Sequence, residues 1–192
     1  LPPWGLETER EIHYGRLEAA KAFAAANGLN RITVPTPEAW LGIAAPGKTY
    51  YDLREALAEL GLDDAALRRY GVRLLKLGML FPMEPGIVRE FARGLEELLV
   101  VEEKRAFCEL FIRDILYNQA ERPRIVGKYD LEGRPLVPAD AELDADRIAQ
   151  IIATRLERKI HLESITARVA LLQALRERPQ PVTLARQPYF CS

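Results

Sequence analysis

The sequence predicts an α/β fold in three layers, a mostly parallel sheet with helices on both faces. Two observations carry that expectation. Short apolar runs alternate with segments of helical periodicity along most of the chain, the pattern of repeated strand-helix-strand units. One run, Leu98-Leu99-Val100-Val101, has no polar alternation and passes straight into Glu102-Glu103-Lys104-Arg105. An unalternating strand suits burial on both faces, and burying its four side chains contributes roughly 1.5–3 kcal/mol each. Ligands and partners of open α/β sheets dock at the carboxyl ends of strands. The charged exit therefore reads either as the solvated end of a core strand or as a docking edge.

The elements follow in order. After a proline-rich opening, Glu9 to Asn27 places Ile12, Leu17, Ala20, Phe23 and Ala24 at helical spacing and stops at Asn27-Gly28, a helix-ending pair. Arg31 to Val34 is a short strand, Pro35 to Pro37 a break, and Ala39 to Ala45 a second strand ending at Pro46-Gly47. Tyr50, Leu53, Leu57 and Leu60 predict the next helix, which Gly61 closes. Asp63 or Asp64 caps a short helix through Arg69, Val72 to Met79 is a third strand ending in Phe81-Pro82, and Ile87 to Gly94 is helical. After the strand from Leu98 to Glu102, an amphipathic helix from Ala106 to Asn118 is expected to turn Phe107, Leu110, Phe111, Ile115 and Leu116 inward. Arg124 to Tyr129 supplies a fifth strand.

Beyond Asp130 the character changes. Glu132-Gly133-Arg134-Pro135 and Pro138 make a turn-rich loop, and Asp144 caps a helix carrying Ile148, Ile151, Ile152 and Leu156. A second helix runs from Glu163 to Arg176, and Pro179, Pro181 and Pro188 keep the end extended. The expected organisation is a linker and helix over 1–30, the α/β unit over 31–130, a loop and helical extension over 131–178, and a proline-rich linker over 179–192.

Composition narrows the function classes. At 192 residues and 48% hydrophobic, the chain can bury one sizeable core. Lys and Arg total 27 against 28 Asp and Glu, a balance that argues against an electrostatically driven nucleic-acid binder. The longest uncharged apolar stretches, such as Ala39 to Pro46, fall far short of the roughly 20 residues a membrane span needs. The opening Leu1-Pro2-Pro3-Trp4 gives no support to a secretory signal, and two distant cysteines, Cys108 and Cys191, fit a reducing cytoplasm.

Several motifs compete for a chemical role. Gly42-Ile43-Ala44-Ala45-Pro46-Gly47-Lys48-Thr49 matches the Walker A pattern in form, which raises a nucleotide-binding enzyme using Gly47, Lys48 and Thr49 as an alternative. Its context is unfavourable, because the phosphate loop should follow the strand, whereas Leu41 to Ala45 looks like strand interior and Pro46 removes an amide. His13 and His161 have no serine or cysteine at an informative spacing. Cys108 falls on a helix, where a buried cysteine is normally a small hydrophobe. Adjacent Glu102 and Glu103 point to opposite faces of a strand, so at most one of them faces any partner. Cys191, in an extended aromatic tail, is not explained by packing, yet an iron-sulfur site needs several thiolates.

Linked motifs then resemble a known family. Leu41-Gly42-Ile43 with Gly47-Lys48 and Tyr51-Asp52, Lys76-Leu77-Gly78-Met79 with Phe81-Pro82-Met83-Glu84-Pro85, and Gly94 to Arg105 occur in one order. With Arg122 to Lys128 and the terminal Tyr189-Phe190-Cys191-Ser192, they are similar to indolepyruvate ferredoxin oxidoreductase in its large fused form. The resemblance covers nearly the whole chain from the first helix. It implies a middle domain like the transketolase C-terminal domain, with a five-stranded mixed sheet and Arg31 to Val34 at its edge. It also implies that thiamine diphosphate and magnesium are held by other domains. The full enzyme of that family oxidatively decarboxylates aryl pyruvates, transfers the acyl group to coenzyme A and passes electrons through iron-sulfur clusters to ferredoxin, as a homodimer. Cys191 would match the first cysteine of a C-x2-C pair, and the chain stops at Ser192 before the second. On this reading the domain is non-catalytic and holds no cofactor itself. Lys48, Glu102, Glu103, Lys104 and Arg105 meet its neighbours.

Overall fold

Five strands form one sheet in the order β1-β3-β2-β4-β5. The computed structural model describes residues 3–176, and the strands are β1 (Arg31–Val34), β2 (Leu41–Pro46), β3 (Val72–Leu77), β4 (Glu97–Val100) and β5 (Arg124–Val126). β2 pairs in parallel with β3 and β4, β4 pairs in parallel with β5, and β1 lies antiparallel to β3 at the edge. This is the mixed, mostly parallel sheet expected, with the expected edge strand. The helices are α1 (Pro3–Glu11), α2 (Leu17–Ala26), α3 (Gly47–Glu59), α4 (Asp64–Arg69), α5 (Pro85–Ala92), α6 (Cys108–Leu116), α7 (Ala145–Leu156) and α8 (Glu163–Arg176). A π-helical turn, Ile12–Arg16, joins α1 to α2.

The two faces of the sheet bury two separate cores. Ile43, Leu74, Leu99 and Val101 pack with α3, α4, α7 and α8, whereas Ala44, Leu75, Leu77, Leu98 and Val100 pack with α5 and α6. Successive strand residues serve opposite cores, which is why the run from Leu98 to Val101 needs no polar position. All four of its side chains are fully buried.

Local chemistry sets most boundaries where the sequence places them. Asp63 accepts the N–H of Ala66 and Asp144 that of Arg147, both at 2.8 Å, capping α4 and α7 as expected. Gly28 and Gly61 end α2 and α3 with φ of 58° and 72°, in the left-handed region that suits glycine.

Other boundaries move for identifiable reasons. β3 stops at Leu77, two residues early, because the Asn30 side chain accepts the N–H groups of Gly78 and Met79 at 2.8 and 2.9 Å and donates to the Met79 carbonyl. β5 stops at Val126 because the N–H of Lys128 is given to Glu109. β4 begins one residue early at Glu97, fully buried, whose carboxylate meets Arg155 of α7 at 2.7 and 2.6 Å and also Arg158. α6 starts at Cys108, and its inward face differs from expectation. Cys108, Glu109, Ile112 and Leu116 are buried, while Phe107 and Leu110 are exposed and Phe111 and Ile115 are only half-buried. The first helix begins at Pro3, earlier than Glu9, and of its expected apolar face only Ala24 is buried.

Candidate functional site at the carboxyl edge of the sheet

The ends of β2 and β4 lead into the segments that carry the expected docking residues. Lys48, in the first turn of α3, lies 2.9 Å from Asp52 and 3.7 Å from Glu142, and its ammonium pKa is raised, chiefly by the Asp52 hydrogen bond. Glu103 accepts the N–H of Leu143 at 3.2 Å, and Lys104 donates to the Ala141 carbonyl at 2.6 Å. Lys104 and Ala141 both have positive φ, 56° and 53°, unusual for residues with a Cβ. Three of the five residues thus converge on one internal loop, 141–143, which leads into α7.

Glu102 does something else. Its side chain turns inward and the residue is 3% exposed. Its carboxylate accepts the N–H groups of Phe107, Cys108 and Glu109 at 3.1, 2.8 and 3.0 Å. These are orphan donors at the start of α6, where a carboxylate also meets the positive end of the helix dipole. The expectation that Glu102 reaches a neighbour through its own side chain is therefore corrected, because that side chain is consumed by capping. Lys104 and Arg105 are both exposed and form no ion pair among the described residues, and Arg105 alone of the five has no hydrogen bond among them either.

Behind this edge lies a buried polar frame that no local pattern announces. The Lys128 ammonium donates to the carbonyls of Glu102 and Pro138, and burial pulls its pKa down. Glu109 accepts from the backbone of Lys128 at 2.9 Å and pairs with Arg113 at 2.8 Å. At the exposed β3 side of the edge, outside this buried frame, Lys76 donates to the Tyr51 hydroxyl at 2.7 Å, which lowers the phenol pKa. The spacing between these partners, 19 residues for Glu109 and Lys128 and 25 for Lys76 and Tyr51, hides them from any local reading.

The Walker A alternative fails on geometry. Gly42, Ile43 and Ala44 pair on both sides, with β3 and β4, Ala45 and Pro46 pair with β3, and Gly42 is a packing glycine: a Cβ there would lie 2.8 Å from Phe91 Cζ and closer still to Leu95. Thr49 is buried and Lys48 is engaged by carboxylates, so no phosphate cradle exists at Gly47-Lys48-Thr49. Cys108 is fully buried, and burial pushes its thiol up to about 12, the opposite of an activated nucleophile. Cys191 lies outside the described residues. Among the described residues no group of three or more His, Cys, Asp and Glu is placed to hold a metal ion. The described donors therefore do not fit magnesium with thiamine diphosphate.

Fold and edge define a three-layer α/β/α domain whose strand-end charges, Arg105 apart, are spent on holding its own loops. The chain belongs to the indolepyruvate oxidoreductase domain family, whose model matches residues 31–178. It is 32% identical over 149 residues to the indolepyruvate oxidoreductase subunit IorA of Pyrococcus abyssi, covering 77% of this chain and 21% of that protein. It is 30% identical over 184 residues to the IorA subunit of Pyrococcus horikoshii, covering 95% and 25%. The chain therefore spans about a quarter of the length of these relatives. Similar solved structures include an inactive β4 tetramer of a split-gene transketolase, with TM-score 0.44, 18% identity and coverage of 68% of this chain and 42% of that one. A 2-oxoglutarate:ferredoxin oxidoreductase from Magnetococcus marinus gives TM-score 0.48 and 16% identity, covering 80% and 24%. Among the described residues no helix is long and apolar enough to cross a membrane.

Proposed function

We propose that this chain is the non-catalytic organising domain of a thiamine diphosphate-dependent indolepyruvate ferredoxin oxidoreductase. Membership of the family supports the enzyme class, and the relatives' fourfold greater length supports a domain within a larger polypeptide. The single observation that carries the organising role is the internal commitment of Lys48, Glu102, Glu103 and Lys104, which builds a rigid edge without leaving an acid, base or nucleophile poised for chemistry.

In the full enzyme, thiamine diphosphate and magnesium are held by other domains, and the reaction converts an aryl pyruvate and coenzyme A into an acyl-CoA while iron-sulfur clusters reduce ferredoxin. The working assembly is a cytoplasmic homodimer. Residues 1–30 and 179–192 link this domain to its neighbours, 31–130 form the α/β unit and 131–178 the extension. Cys191 becomes a cluster ligand only with the partner cysteine of the longer chain. Lys48, Glu103, Lys104 and Arg105 present the docking edge, with Glu102 shaping it from within.

Isothermal titration of the 192-residue chain with thiamine diphosphate and magnesium tests the reading. No binding heat at near-physiological cofactor concentration is the expected result, and saturable binding overturns it.

A further inference from the structure

α6 is apolar on two sides. Its inner side, Cys108, Ile112 and Leu116, is buried against the sheet. Phe107, just before the helix, and Leu110 on its outer side are 46% and 61% exposed. Phe81, in the loop leaving β3, is 57% exposed. The rings of Phe81 and Phe107 both lie against half-buried Phe111, with centroids 5.8 and 5.1 Å away. Three rings from two segments, Phe81 from the loop after β3 and Phe107 and Phe111 from the start of α6, thus make one aromatic surface at the carboxyl edge, and exposed Leu110, three residues from Phe107 along the chain, stands next to it in sequence.

Mutual contact satisfies these side chains only in part. An aromatic pair contributes less than full burial of a Phe or Leu side chain. The surface is also preorganised, because Glu102 holds the Phe107 N–H at 3.1 Å and thereby fixes the turn that presents the ring. Arg105, two positions before Phe107, is exposed and unpaired among the described residues, in a loop whose other charges are committed internally.

We infer that Phe81, Phe107, Leu110 and Phe111 receive an apolar segment from another domain of the same polypeptide, with a carboxylate of that segment facing Arg105. The inference rests on the organising-domain reading above. Three quarters of the relatives' length lies outside the span matched here, which supplies the covering chain. Four side chains are far fewer than the roughly 20–30 residues a side that a stable free dimer uses. They suffice for a segment whose effective concentration is raised by covalent linkage. Two copies meeting through the same patch would also bring their Arg105 side chains together.

Hydroxyl-radical footprinting of the full-length enzyme tests this. Phe81, Phe107 and Leu110 are expected to label at least about fivefold more slowly in the folded enzyme than in the urea-unfolded one, and a smaller difference overturns the inference. In the full-length Leu110→Asp variant, and separately in Arg105→Glu, Phe107 labelling is expected to rise while the enzyme keeps its folded circular dichroism spectrum. Unchanged Phe107 protection in both variants overturns the assignment. Protection that disappears on dilution of the enzyme assigns the patch to a second copy and overturns it as well. Cofactor binding by the 192-residue chain sinks the organising-domain reading, while equal labelling sinks only the aromatic docking site.

Discussion

The carboxylate of Glu102 accepts the backbone N–H of Cys108 at 2.8 Å and joins the end of β4 to the start of α6 across a six-residue step. With the N–H groups of Phe107 and Glu109 also bound, Glu102 is the structural pivot of the charged edge. Glu102→Ala is expected to lower the unfolding free energy by about 2–4 kcal/mol, because buried donors lose their acceptor. Glu102→Gln, which keeps one carbonyl oxygen, is expected to lose less. Urea unfolding of both variants checks the order.

That pivot marks the boundary of what was legible. Caps whose partner lies three residues away, at Asp63 and Asp144, and helix ends at Gly28 and Gly61 follow from local chemistry and were readable. The strands and the sheet type followed from short apolar runs. Glu102 reads in sequence as a charged strand exit meeting a neighbour because its cap reaches across a loop and does not sit at the position just before the helix. The orientation of α6 differs from expectation for another reason: apolar residues stand on both sides of the helix, so periodicity alone does not separate Phe107, Leu110 and Phe111 from buried Cys108, Ile112 and Leu116. The charges of the docking edge were visible in sequence, but their partners at 141–143 lie 37 to 40 residues away for Lys104 and Glu103.

Gly42 gives a sharp packing test. Its Cβ position is occupied by Phe91 and Leu95 from the α5 side, inside a fully buried strand. Gly42→Ala is expected to cost about 1–3 kcal/mol through overpacking, read as a lowered thermal midpoint.

Cys108 predicts an alkaline limb. Burial raises its folded-state pKa from the usual value near 9.0 to about 12. The folded protein therefore holds a proton that the unfolded chain releases between these values. The associated stability is fully present below pH 9 and is lost as pH rises toward 12. Subtracting the pH profile of Cys108→Ala from that of the wild type is expected to isolate this decline. A flat difference between pH 8 and 11 contradicts it.

The N-terminal helix makes the opposite case. From Trp4 to Arg16 every residue is exposed, including Leu6, Ile12 and Tyr14. Removing residues 1–16 takes away no buried side chain among the described residues and is expected to move the thermal midpoint by no more than about 2 °C. A larger drop in calorimetry would show that the helix contributes to this domain's own core.

The ion pair between Glu97 and Arg155 ties the helical extension to the sheet, and its energetics follow from burial. Glu97 is fully buried and Arg155 is 6% exposed, with two hydrogen bonds of 2.7 and 2.6 Å between them. Arg155→Met strands most of the Glu97 charge, leaving only the more exposed Arg158 beside it, and is expected to cost about 3–5 kcal/mol. In the double variant Glu97→Met with Arg155→Met, no buried charge lacks its partner, and Arg158, with its side chain 34% exposed, can turn to solvent. The double variant is therefore expected to be more stable than Arg155→Met alone. A double-mutant cycle by urea unfolding checks this. Additive losses would show that the two residues act through packing with their separate neighbours and not through each other.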